Sequence, residues 1–221
     1  MGTLSPRTRR AALPALVAVA CALAGCVNPF RPASPEAPTS TTVREDFSTP
    51  ERLLNTLVAA MEDKGTAGRI AWANAMADTS GPNTRAFYAF MDPVVLSDWG
   101  QTSGIPAPEW GLDLERQFYD RFGALTSGTY QMTFSPDNFS PSDDIGTETA
   151  LMHRRYVIYS IEQDIATPIA QGYVDFYMVS YDGRWWVVRW QDRLDPDVGV
   201  NPSDGTSYSL GRRRLDSLTQ S

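Results

Sequence analysis

Hydrophobic positions along this chain change their period several times. The first apolar run, Ala11 to Gly25, is interrupted only by Pro14 and has no polar face. Residues 27–47 hold neither a 3.6-residue nor a 2-residue period. Helical spacing then begins at Ser48-Thr49-Pro50-Glu51. Thr49 suits an N-cap, Pro50 the first helical position and Glu51 the positive end of the helix dipole. Leu53, Leu54, Leu57, Val58 and Met61 follow as an apolar stripe, with Gly65 as the stop. A second helix is predicted over 66–77, with Ile70, Ala73 and Met76 inward and alanines favouring the helical state. Ser80-Gly81-Pro82-Asn83 breaks the chain. A short strand follows at 86–91, ended by Asp92-Pro93, and a loop leads to a third helix over 108–124. There Trp110, Leu114, Phe118, Phe122 and Leu125 recur at intervals of four, four, four and three, the clearest helical stripe in the sequence.

From residue 128 the period becomes that of strands, predicted at 128–134, 149–161, 171–181 and 185–193, with a polar loop over 135–147. Asp182-Gly183 between strand sequences signals a two-residue hairpin. In that register Val174, Phe176, Met178, Trp185 and Val187 share one face, which should meet the helices. Tyr173, Asp175, Tyr177, Val179, Trp186, Val188 and Trp190 share the other. This second face is richer in Trp and Tyr than a solvated sheet needs. It predicts either an interface carried by Tyr177, Trp186, Val188 and Trp190, or a cover supplied by the chain itself. Residues 196–221 read as an irregular tail in which Leu210 and Leu215 dock locally.

Composition adds bounds. The 221 residues suit one domain with appendages, and 42% hydrophobic content supports a core. A net charge of −7 argues against nucleic acid as a partner. Residues 1–10 carry Arg7, Arg9 and Arg10 and no acid. With the short apolar run behind them, they describe a secretory signal peptide rather than a span, which takes about 20 residues. Leu23-Ala24-Gly25-Cys26 resembles a bacterial lipobox. The resemblance implies cleavage before Cys26 and a diacylglycerol, with a further acyl chain such as palmitate, on Cys26, a membrane anchor of two or three chains. Val27 behind it favours the outer membrane of a Gram-negative envelope. Cys21 is lost with the leader, so the mature chain has no disulfide. Removing three arginines leaves 16 basic residues against 26 acidic, a net charge of −10. Residues 26–47, rich in Pro, Ser and Thr, read as a lipidated tether.

The T-P-E-x-L-L opening at Thr49–Leu54 and the ending Asp182-Gly183-Arg184-Trp185-Trp186-Val187-Val188-Arg189-Trp190 resemble the NTF2-like superfamily, which includes SnoaL-like and ketosteroid-isomerase-like groups. The resemblance covers residues 48–195. It implies an α+β cone, three N-terminal helices packed on a curved antiparallel sheet, with a pocket between them. In the family's enzymes Asp, His, Tyr or Arg line that pocket. It supplies no reaction, because the superfamily holds both enzymes and binding proteins.

The candidate chemistry is sparse. His153 is the one imidazole. In the simplest register it shares the helix-facing side with Arg155 and Met178, across a loop at 165–167. Asp175 faces the other way with Tyr177 and Trp190, and Asp92 and Asp98 sit on loop edges. Asp143-Asp144 could offer carboxylates to a metal, but a solvated polar loop explains them better. No phosphate loop, nucleophile elbow, metal site or cofactor site is expected. The sequence therefore predicts an exported, lipid-anchored envelope protein, non-catalytic, that binds a small apolar ligand or a protein partner. A small pocket enzyme of the isomerase or dehydratase type, using His153 or an aspartate, is the alternative.

Overall fold

A computed structural model describes residues 43–80, 85–200 and 208–219. The leader, the lipobox with Cys26 and the tether through residue 42 lie outside the described residues. Among the described residues, five helices and seven strands follow in the order α1 (Pro50–Asp63), α2 (Thr66–Ala75), β1 (Tyr88–Phe90), α3 (Pro93–Ser103), β2 (Trp110–Gly111), α4 (Leu112–Gly123), β3 (Thr129–Pro136), β4 (Asp144–Ile145), β5 (Thr149–Glu162), β6 (Ile165–Tyr181), β7 (Arg184–Arg193) and α5 (Leu210–Ser217). One open sheet runs β2-β1-β7-β6-β5-β3, with β4 paired to β5. Its pairs are antiparallel except β1 with β7, which run parallel. The fold is α+β, but not with the three helices expected.

The helices begin where the chain chemistry says they should. Thr49 Oγ1 accepts from Arg52 N at 3.2 Å, and Pro50 opens α1. The stop is Lys64 rather than Gly65. Lys64 takes the left-handed conformation at φ 55°, held by Nζ donating to Thr126 O at 2.6 Å and Gly128 O at 2.7 Å. Gly65 instead caps α2. Within α2, Ile70 is 49% exposed. The inward face is Gly68, Ala71, Trp72 and Ala75, because the Trp72 ring fills the interior.

The loop expected after Asp92-Pro93 contains α3. Asp92 is its N-cap, accepting from Val94 N at 2.8 Å, with Pro93 in the first turn. Trp110 lies in β2 rather than on the third helix, so α4 begins at Leu112. Its buried face is Glu115, Phe118, Tyr119 and Phe122, while Leu125 is exposed.

Asp182 and Gly183 both have positive φ, 51° and 73°, as a tight primed turn requires, and Tyr181 pairs with Arg184. The register then shifts. Tyr177 pairs with Arg189 and Met178 with Val187, leaving Val188 as a bulge. Every β7 residue beyond Val188 is turned over relative to the simple hairpin. Trp190 therefore pairs with Phe176 on the helix-facing side and is fully buried. A second shift, at Ile158/Tyr159, leaves Ile169 of β6 as a bulge. The β5–β6 connection turns tightly at Gln163-Asp164, so β6 already includes 165–167.

The expected irregular tail contains α5. Leu210 and Leu215 are fully buried in the same main core that holds Trp72, Trp110, Phe118 and Trp190. α5 closes the inner face of the sheet between α4 and the β6–β7 strands. Among the described residues no helix is long and apolar enough to cross a membrane.

Candidate functional site

Two polar clusters sit on opposite faces of the sheet. The inner one lies between the helices and the sheet, among fully buried side chains. Glu115 of α4 is fully buried. Its Oε1 accepts from Trp72 Nε1 at 3.2 Å and its Oε2 from Trp110 Nε1 at 2.7 Å. Arg214 of α5 completes the set as a two-pronged donor, Nε to Oε2 at 2.8 Å and Nη2 to Oε1 at 2.9 Å. The guanidinium carbon lies 4.6 Å from the Trp190 ring centre and 5.4 Å from that of Phe118. Burial pulls the Arg214 pKa down, but the Glu115 carboxylate more than reverses this, so the guanidinium stays charged.

Beside this pair, Asp192 of β7 binds the start of α5. It accepts from Tyr156 Oη at 2.7 Å and from Gly211 N at 2.9 Å, while Leu210 N donates to Tyr156 Oη at 2.7 Å. A Cβ on residue 211 would stand 2.5 Å from Asp192 Oδ2, so the approach needs glycine. Burial pushes the Asp192 carboxyl up to about 6, against the lowering pull of Arg214 and the Tyr156 hydrogen bond. The Tyr156 phenol is pushed well up, by burial first and by Asp192 next.

The outer cluster holds His153. β5 pairs it with Asp175, and His153 Nδ1 lies 2.7 Å from Asp175 Oδ1. This is the face opposite to the one expected, away from Met178 and the helices. The simple register failed because β6 carries an extra residue, Ile169, between the partners of Ile158 and Tyr159, which moves His153 from opposite Val174 to opposite Asp175. Arg193 Nη2 donates to Asp175 Oδ1 at 2.8 Å and to Asp137 Oδ2 at 2.7 Å. Ser140 Oγ donates to Asp137 Oδ2 at 2.6 Å. Asp143 takes both prongs of Arg154, at 2.8 and 2.6 Å, and the backbone N–H of His153. Burial raises the Asp137 and Asp143 carboxyls, but the hydrogen bonds from Ser140 and Arg193, and from Arg154, outweigh it and hold both below the usual range. The polar loop over 135–147 is thus pinned by ion pairs. A surface hollow of about 260 Å³, including Asp137, Ser140, Asp143, His153 and Arg154, opens beside it.

Among the expected interface residues, Val188 and Trp186 are each 8% exposed and pack with Val179, Ala77 and half-buried Tyr177 in a small cluster outside the main core. Trp190 does not join them, because the bulge carries it inward. Arg184 covers this cluster from the chain itself, 4.2 Å from the Phe47 ring centre and 5.2 Å from that of Trp186. Asp92 and Asp98 are engaged: Asp92 caps α3 and accepts from Leu194 N at 3.0 Å, and Asp98 pairs with Arg212. Among the described residues no group of three or more His, Cys, Asp or Glu is placed to hold a metal ion.

Pattern reasoning missed Glu115, Arg214, Tyr156 and Asp192. Charged residues on amphipathic helices read as solvated, and α5 read as tail. The available signal was Glu115 flanked at three and four residues by Leu112, Phe118 and Tyr119, which places a carboxylate inside an apolar stripe.

No family model matches the chain, and no curated protein matches it in sequence. Among solved structures it is similar to a protein of unknown function from Mycobacterium tuberculosis, at 13% identity over 76% of this chain and 83% of that one, with TM-score 0.48. It is also similar to an NTF2-like protein with a cystatin-like fold from Novosphingobium aromaticivorans, at 10% identity over 69% and 82%, with TM-score 0.46. A third, an NTF2-like protein of unknown function from Pseudomonas putida, shares 12% identity over 65% and 82%, with TM-score 0.44.

Proposed function

We propose that this chain is an exported envelope lipoprotein, anchored through Cys26, whose NTF2-like domain is a non-catalytic binding module. The anchor rests on the basic n-region, the short apolar run and the lipobox-like Leu23-Ala24-Gly25-Cys26. One observation carries the non-catalytic reading: the inner face holds an ion pair, Glu115 with Arg214, packed among Trp72, Trp110, Phe118 and Trp190. A general acid or base needs reach to a substrate, and these groups are spent on one another. His153 faces the opposite side. A small apolar ligand would have to displace α5 without supplying a cation for Glu115, which favours a protein partner.

The anchor is tested by expressing the full chain in a bacterium fed an alkyne fatty acid. Wild type takes up the label and Cys26→Ala does not; equal labelling of the two refutes the anchor. For the outer face, sedimentation of the domain beginning at residue 43 decides whether two copies associate. A monomer whose behaviour is unmoved by Trp186→Ser removes Trp186 and Val188 from any self-interface.

A further inference from the structure

The contacts of α5 have the character of a ligand in a receptor. Its three consecutive arginines each find a separate acceptor supplied by another element. Arg212 pairs with Asp98 of α3 and lies over the Tyr208 ring. Arg213 donates from Nε and Nη2 to Ile169 O of β6, at 3.0 and 2.9 Å. Arg214 enters the interior and meets Glu115 with both prongs.

The acceptor of Arg214 is assembled without α5. Trp72 and Trp110 each give one indole N–H to a different oxygen of Glu115. These two neutral donors orient the carboxylate but leave its charge unbalanced. Each oxygen keeps one lone-pair direction open, at the spacing of a guanidinium fork. Trp190 and Phe118 supply the ring faces beside it, which suit a delocalised cation. An ammonium would match neither the fork nor the rings as well.

The resident occupant is imperfect. Arg214 Nη1 and Trp190 Nε1 are buried and, among the described residues, have no hydrogen-bond partner. A buried donor without an acceptor carries an unrecovered desolvation cost. A segment bringing an acceptor beside its arginine would fit better than α5 does. The chain's net charge of −7 also favours a basic visitor.

We propose that the inner face is a receptor for an arginine-bearing helix, occupied in cis by α5 and open to a matching segment in trans. This deepens the reading of the domain as a binding module by naming the partner's chemistry: a helical segment that places one arginine on Glu115. It is independent of the lipid anchor, so failure of the Cys26 labelling leaves it standing.

The test weakens the cis occupant and offers another. A fluorescent peptide with the sequence of residues 208–219 is titrated into the full chain carrying Arg214→Ala, and anisotropy is read. Binding is expected to saturate, to weaken at least tenfold when Glu115→Gln is added, and to be at least tenfold weaker to the wild type, whose own Arg214 competes. The same peptide with its Arg214 equivalent replaced by lysine should bind less well. If Arg214→Ala does not stay folded, Arg214→Met keeps the apolar stem and takes its place. Should that also unfold, the recovery of Arg214→Ala from urea with and without peptide is the readout. No binding and no recovered folding, or binding indifferent to Glu115→Gln, overturns the proposal.

Discussion

Ionisation of Asp192 should make this domain less stable as pH rises through the weakly acid range. The carboxyl is raised from 3.8 to about 6, with burial the largest cause. Between those values the folded state binds more protons than the unfolded one, so stability falls with rising pH. The contribution is fully present below about 4 and is lost by about pH 6–7. A shift of about two units corresponds to about 3 kcal/mol. Asp192→Asn is the matched control, since it keeps the shape and does not titrate. Urea unfolding followed by tryptophan fluorescence at pH 4, 5, 6 and 7 gives the stability of each protein. Asp137 and Asp143 act in the opposite sense, losing stability as pH falls through their lowered values, but they lie on the outer face and cancel on subtraction. The wild-type advantage over Asp192→Asn should shrink by most of this, about 2.5 kcal/mol, from pH 4 to pH 7. A difference that is flat, or that grows with pH, refutes the account of Asp192 as a group whose burial outweighs its hydrogen bonds.

Gly211→Ala places a methyl 2.5 Å from Asp192 Oδ2 and should cost about 1–3 kcal/mol, seen as a lower Tm. Gly183→Ala puts a side chain at φ +73° in open space and should cost about 1 kcal/mol through backbone strain alone. Arg193→Met strips Asp137 of its cation on a side chain with no exposed surface; allowing for the part-exposed guanidinium, about 2 kcal/mol is expected at pH 7. That penalty should diminish below about pH 4, where an unpaired Asp137 takes up a proton, and denaturant unfolding at pH 7 and pH 3 checks it.

How far the sequence could be read depended on whether each signal was local. Thr49-Pro50-Glu51 specifies the start of α1 through contacts within four residues, and the structure agrees. Asp182-Gly183 specifies its turn equally well. Asp92-Pro93 carried the same N-cap and proline signal as Thr49-Pro50, yet it read as a strand end because the helix behind it has only Val95 and Trp99 buried. The inner cluster was illegible for another reason. Glu115 and Arg214 are 99 residues apart, and each taken alone looks like an ordinary surface charge. Only their meeting makes burial tolerable, and no periodicity reports it. His153 and Trp190 were assigned to the wrong faces for one shared reason: a strand pattern says which residues alternate, not where a pairing slips.

The bulge at Val188 makes β7 a segment that is tolerant of substitution and intolerant of changes in length. Swapping Val188 for another β-branched residue leaves the frame intact. Deleting it would restore the plain alternation and invert everything from Arg189 to Arg193. Trp190 would leave the interior, Asp192 would lose Tyr156 and the start of α5, and Arg193 would be pulled from Asp137 and Asp175. One residue with no partner across the strand thus keeps both polar clusters on their proper sides. Among relatives of this chain, insertions and deletions should be rarer between Tyr177 and Arg193 than the modest packing of Val188 alone would suggest.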